Sequence, residues 1–119
     1  MFGNYVLSLG RVYDNVIVRE NGQKLVLHVN ADPNRLVIGL THAQKQLAAI
    51  TADTTPEDRE KIALYFAGVI FGEEQAKKLL EYYRGDTSCV IGICGKYFAD
   101  RLGKMITKSQ KKQKNRLKA

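Results

Sequence analysis

The chain is short of the residues that build metal and redox centres, with two histidines and two cysteines among its 119 residues. His28 falls in a predicted strand and His42 in a predicted helix, and neither has a cysteine or carboxylate partner at a metal-binding spacing. Cys89 and Cys94 enclose four residues, which fits neither the zinc nor the redox pattern. Lying five positions apart on one predicted helix, they point well away from each other and cannot easily close an intrachain disulfide, as suits a reducing cytoplasm. The longest weakly charged apolar run, residues 87–95, is far below the roughly 20 residues a membrane helix needs. The opening MFGNYVLSLGRVYD has no basic segment leading into an apolar one, so no signal peptide is expected and the cytoplasm is the expected location. The sequence offers no nucleophile beside a base and no metal site. The expectation is a protein without catalytic residues, metal or cofactor, and without a membrane segment.

Acidic residues are also missing from one end. From Arg101 onward the chain carries Arg101, Lys104, Lys108, Lys111, Lys112, Lys114, Arg116 and Lys118 and no acid. The formal net charge of +7 therefore belongs to this end, since residues 1–100 hold 11 basic against 12 acidic side chains. A cationic tail on a neutral body suits either an acidic partner or nucleic acid, or it is a solvated terminus that aids solubility.

What the chain does have is a long apolar centre, residues 62–80, IALYFAGVIFGEEQAKKLL. Its first half is apolar on nearly every face, which predicts a central, surrounded helix. Gly72 stops that helix in a left-handed cap. Glu73 and Glu74 then sit where carboxylates favour the positive end of a new helix. In the second helix Ala76, Leu79, Leu80 and Tyr83 recur at helical spacing on one face. The corner has Phe71 as its aromatic anchor and Gly72 as its turn.

Before this centre, residues 4–9 are expected to be extended, and residues 16–20 and 24–30 read as strands. Asn21-Gly22 between them is the strongest short hairpin signal. Asp32-Pro33 starts a helix running to about residue 50, with Asp as N-cap and Pro at its first position. Thr55-Pro56-Glu57-Asp58 repeats the same logic for the central helix. After a turn at Arg84-Gly85-Asp86, Thr87 or Ser88 is the expected cap of a last helix that fades near Lys108. Beyond Lys111 too little apolar surface remains to offset ordering. The fold class is therefore α+β: an N-terminal β-hairpin packed on a bundle of about four helices. One domain covers residues 1–110, and residues 111–119 are a flexible, disordered basic tail.

Two short runs suggest ligands only superficially. Gly92-Ile93-Cys94-Gly95-Lys96 lacks the phosphate-loop spacing and a preceding strand, and the helical period runs straight through its outline of a KH loop. A different pattern in this helix stands out. Gly95, Ala99 and Gly103 recur at i, i+4 and i+8, making a small-residue seam in a helix where each glycine costs about 1 kcal/mol against alanine. Such a seam either packs within the monomer or accepts a partner helix. As a partner groove it would be flanked by Phe98, Leu102 and Ile106, with Lys104 and Lys108 facing acids on the partner's rim. The same surface would also suit the pairing of two copies into a homo-oligomer.

A hairpin-like start, a helical middle, the phrase VIFGEEQAKKLL at residues 69–80, a short turn and a long helix with a lysine-rich end together resemble the tail assembly chaperones of long-tailed phages and prophages of Gram-positive bacteria. The match is best over residues 69–80 and the spacing to the last helix, and looser across residues 24–119. The basic tail departs from the usual run of that family. The resemblance implies a small, cytoplasmic, non-enzymatic protein encoded just before the tape measure protein. It implies that the protein coats the tape measure chain and recruits tail tube subunits. It also implies a longer form made by ribosomal frameshifting, for which lysine codons at Lys111-Lys112 would supply a slippery run. The alternative from the charge pattern is a small nucleic-acid-binding protein using the tail with Arg101, Lys104 and Lys108.

Overall fold

A computed structural model describes the backbone of residues 10–118 and the side chains through Asn115, so the extended segment expected at residues 4–9 lies outside the described residues. The first elements are strands β1 (Val12–Glu20) and β2 (Gln23–Ala31). They pair antiparallel from Val12↔Ala31 to Glu20↔Gln23, leaving Asn21-Gly22 as a two-residue loop. Both loop residues have positive φ, 50° and 79°, the primed turn whose twist matches that of the strands. Each strand is longer than its sequence pattern suggested: β1 reaches back to the buried Val12, and β2 gains Gln23 and Ala31, one residue at each end. The buried face, with Val12, Val18, Leu27 and Val29, lies on the helices, while Tyr13, Ile17 and Val26 face outward.

Four helices follow among the described residues, giving an α+β fold. Helix α1 (Pro33–Ala48) begins at Asp32, whose carboxylate accepts from the Arg35 N–H at 3.2 Å. Helix α2 (Pro56–Phe71) begins at Thr55, whose hydroxyl accepts from the Asp58 N–H at 3.1 Å. Both Asp32-Pro33 and Thr55-Pro56 act as expected, capping an orphan donor and setting φ for the first turn. Helix α2 packs against α1, β2 and the two helices that follow it, burying Ala63, Phe66, Ala67 and Ile70. It is central but not surrounded, since Leu64 and Val69 are only half-buried and Tyr65 is exposed.

The corner into α3 (Glu73–Tyr82) is made by Gly72 alone. Its N–H donates to the Gly68 carbonyl at 2.9 Å, and its own carbonyl accepts from the Ala76 N–H at 3.0 Å. One residue thus closes one helix and opens the next. Its φ of 90° and ψ of 160° are not those of the left-handed cap read from the sequence, but an extended, positive-φ conformation that is essentially glycine's own. Phe71 is buried beside it and stacks on Tyr97, with ring centroids 5.9 Å apart.

Helix α3 ends in a Schellman motif, in which Gly85 N–H reaches back to Leu80 O and Arg84 N–H to Glu81 O, both at 2.9 Å. The next cap is Asp86, not Thr87 or Ser88: its carboxylate accepts from the Cys89 N–H at 3.2 Å. Helix α4 (Thr87–Tyr97) then runs through a π turn at Phe98–Leu102 into α5 (Gly103–Lys118), so the last predicted helix is one rod with a wide turn in it.

Helix α5 continues to Lys118, into the stretch expected to be a disordered tail. Its inner edge is tied to the start of α1, where Gln113 accepts from the Asn34 amide at 3.0 Å and donates to the Asp32 carboxylate at 3.1 Å. Gln110 donates to Asn34 at 3.3 Å, and Gly10 lies so close that a Cβ there would come 2.9 Å from Ser109 O. These polar ties lie some 80 positions away in sequence, so the fading apolar period gave no sign of them.

Candidate functional site

The expected seam is placed at the surface of the rod. A Cβ added at Gly95 would meet no described residue within 4 Å, so no other described part of the monomer packs there. Ala99 is exposed, and Gly103 is roofed by Phe98, whose ring Cζ would lie 3.5 Å from a Cβ at Gly103. Of the apolar flanks only Phe98 is exposed, whereas Leu102 and Ile106 are buried in the protein's own core and are not available to a partner. Lys104 and Lys108 are exposed. The structure therefore separates the seam from two of the contacts it was expected to offer.

A better apolar groove lies along the corner between α2 and α3. Core packing takes the side of α2 carrying Ala63, Phe66, Ala67 and Ile70, which leaves Leu64 and Tyr65 on the opposite side, with Val69 half-buried where its methyls pack on α1 at Gly39. Because the chain folds back at Gly72, α3 brings Ala76 alongside them. The result is an open hollow of about 400 Å³ lined by Leu64, Tyr65, Gly68, Val69 and Ala76, with Glu73 and Lys77 at its rim. Those two rim residues pair at 4.0 Å and are both exposed, so they contribute little to stability.

Gly68 forms the floor. A Cβ there would meet no described residue within 4 Å, so packing among the described residues does not require glycine, although glycine in a helix interior is costly. A second hollow, against the start of α1, shares Gly68 and Val69 with the first, so the depression continues across α2. A shallow, mostly apolar trough beside two helices can take the apolar side chains of a third.

The other assembled cluster is Asp14, Tyr97 and Arg101. Asp14 lies on the inner face of β1 with its side chain 7% exposed. It accepts from Arg101 Nε at 2.6 Å and Nη2 at 3.0 Å, from the Tyr97 hydroxyl at 2.8 Å and from the Asn15 N–H at 3.0 Å. Burial pushes its pKa up, but the hydrogen bonds from Arg101, Tyr97 and Asn15 outweigh burial and hold the carboxyl below its ordinary value. Burial, and next the bond to Asp14, push the Tyr97 hydroxyl up. Each group is thereby held in its usual protonation state at neutral pH. The cluster clasps the hairpin to the rod and has no proton poised for transfer.

Other candidates stay isolated. The His28 ring Nδ1 lies 2.6 Å from the Asn15 amide oxygen, and His42 is exposed on α1. Among the described residues no three His, Cys, Asp or Glu side chains are grouped to hold a metal, and no helix is long and apolar enough to cross a membrane. Cys94 is buried, which pushes its thiol up to about 12. Both cysteines are free.

Sequence reasoning missed the clasp because its members are more than 80 positions apart and each reads singly as an ordinary strand or helix residue. The groove did leave a signal. Leu64 and Tyr65 are apolar on the side of α2 opposite its most regular core face, and Gly68 interrupts that side. Compared with known proteins, the chain matches no family model, no curated protein and no solved structure.

Proposed function

We propose that this protein is a non-enzymatic tail assembly chaperone of a long-tailed phage or prophage, acting in the host cytoplasm. Its client is the tape measure protein, which it holds while tail tube subunits are recruited. One observation carries the reading. The phrase on which the resemblance rests, residues 69–80, forms the α2–α3 corner and supplies Val69, Glu73, Ala76 and Lys77 to the apolar groove. The feature that suggests the family and the surface best suited to a helical client are thus the same part of the chain. A tape measure protein is long and helical, and an amphipathic helix laid in this groove would bury its apolar face against Leu64, Tyr65 and Val69.

Co-expression tests the reading. A helical tape measure fragment should co-purify with the wild-type chain and be lost from Gly68→Leu, whose Cβ would meet no described residue within 4 Å and whose side chain would occupy the hollow. It should be retained by Gly95→Leu. Retention by Gly68→Leu with loss from Gly95→Leu would move the client to the seam on α4, and no co-purification with either protein would end the proposal. A long helical reading frame directly downstream of this gene is expected on the same account.

A further inference from the structure

Helix α5 has two sides of different chemistry. Ile106, Ser109, Gln110 and Gln113 form the side facing the body, with Ile106 in the core and both glutamines bonded to the start of α1. The opposite side carries Lys104, Lys108, Lys111, Lys112 and Lys114, all exposed. At 100° per residue these five fall within an arc of about 160° centred opposite Ile106, over about 15 Å of helix. The ion pairs of the described residues lie elsewhere, at Lys77–Glu73, Lys96–Asp100 and Arg101–Asp14, and none includes any of the five lysines. No acidic residue follows Asp100, so nothing on the helix itself can neutralise the stripe. Like charges at i, i+4 repel, as at Lys104–Lys108 and Lys108–Lys112.

We propose that this lysine face of α5 is a sequence-independent binding site for the phosphate backbone of nucleic acid. The composition of the face selects this partner over other anions. Between the lysines it presents, among the described residues, only Thr107 and Asn115 to solvent. An acidic protein partner draws most of its affinity from buried aromatic or apolar anchors, and exposed ion pairs add little. A membrane-bound amphipathic helix inserts an apolar face, and the apolar side of α5 is already turned to the body. A phosphate backbone needs neither. It is a dense, regular line of charge, and the release of its condensed counterions drives binding to lysines alone. The face carries no group that would read base edges, so binding is independent of sequence. This site does not depend on the client groove and stands or falls separately from it.

The test is fluorescence anisotropy with a labelled 20-base-pair duplex, repeated with a second duplex of unrelated sequence. Five phosphate contacts predict about a 500-fold loss of affinity between 50 and 200 mM salt, the same for both sequences. The quadruple variant Lys104→Gln, Lys108→Gln, Lys111→Gln and Lys112→Gln should keep its fold, because the positions are exposed and glutamine matches lysine in helix propensity. It should flatten the slope of log K against log salt by about 3.6. The corresponding Lys→Arg variant should retain binding and slope. No binding to either duplex at 50 mM salt, or a slope unchanged in the Gln variant, would overturn the proposal. Equal or tighter binding to polyglutamate or to phosphatidylserine vesicles would overturn it too, by assigning the face to an acidic protein or a membrane surface.

Discussion

At Gly39 the backbone of α1 lies so close to Val69 of α2 that an added Cβ would fall 2.6 Å from one Val69 methyl and 2.9 Å from the other. Gly68, next to Val69 in sequence, has no described residue within 4 Å of where its Cβ would be. Two helix-interior glycines on neighbouring helices thus exist for different reasons. Gly39→Ala should destabilise by about 1–3 kcal/mol, because the helices must move apart. Gly68→Ala should stabilise by up to about 1 kcal/mol, because it removes the helix cost of glycine and meets no described residue. Urea midpoints of the two variants should therefore move in opposite directions. Shifts of the same sign would show that one of the two sites is misjudged.

The clasp at Asp14 gives a pH dependence with a definite sign. Its carboxyl is held below the ordinary value in the folded state, so its contribution is present above about pH 4. That contribution is lost as pH falls through the lowered folded value. Asp14→Asn should cost about 1–3 kcal/mol at pH 7, since the bonds from Arg101 and Tyr97 lose their charged acceptor. The variant should also lose less stability than the wild type on going from pH 7 to pH 3. An equal loss in both proteins would mean that Asp14 does not couple the hairpin to the rod.

Gln75 closes the outer edge of β2. Its amide oxygen accepts from the His28 N–H at 2.7 Å and its amide nitrogen donates to the His28 carbonyl at 2.8 Å, as a neighbouring strand would. Gln75→Ala should cost about 0.5–1.5 kcal/mol and raise the exchange rate of the His28 amide. Gln75→Glu should cost more, because a carboxylate cannot donate to the carbonyls of His28 and Phe71. Hydrogen exchange resolved at His28 is the readout. Unchanged protection in both variants would remove the strand-like role of Gln75.

Arg84 has a φ of 56° in the turn after α3, a conformation that costs L-residues about 1–2 kcal/mol. Arg84→Gly should raise the melting temperature despite the added freedom of the unfolded chain. At Gly72, with a φ of 90°, the reverse holds, and Gly72→Val should lower it sharply. A lowered melting temperature for Arg84→Gly would show that the arginine side chain stabilises the turn more than its backbone strains it.

Local chemistry was legible in the sequence where neighbours along the chain decide the outcome. Asn21-Gly22 can hardly make anything but a primed turn, and Asp32-Pro33 and Thr55-Pro56 carry both the cap and the fixed φ that begin a helix. The buried faces of β2 and α3 follow from their periods. What escaped depends on which surface remains after packing. Leu64, Tyr65 and Val69 suggested a surrounded helix because apolar content alone does not say how many sides of a helix will be covered. Leu102 and Ile106 suggested partner contacts because the seam was read without knowing which side of the rod faces the body. The continuation of α5 rests on Gln110 and Gln113 meeting Asp32 and Asn34, a pairing of polar residues that no helical period announces.

The central claim is that a helical client lies in the groove between α2 and α3. The most direct measurement is a titration of isotope-labelled protein with a helical tape measure fragment, read as amide shifts. The account predicts shifts clustered at Tyr65, Gly68, Val69 and Ala76, and their absence in Gly68→Leu protein that remains folded. Shifts centred instead on Gly95, Phe98 and Ala99, or no shifts at saturating fragment, would contradict it.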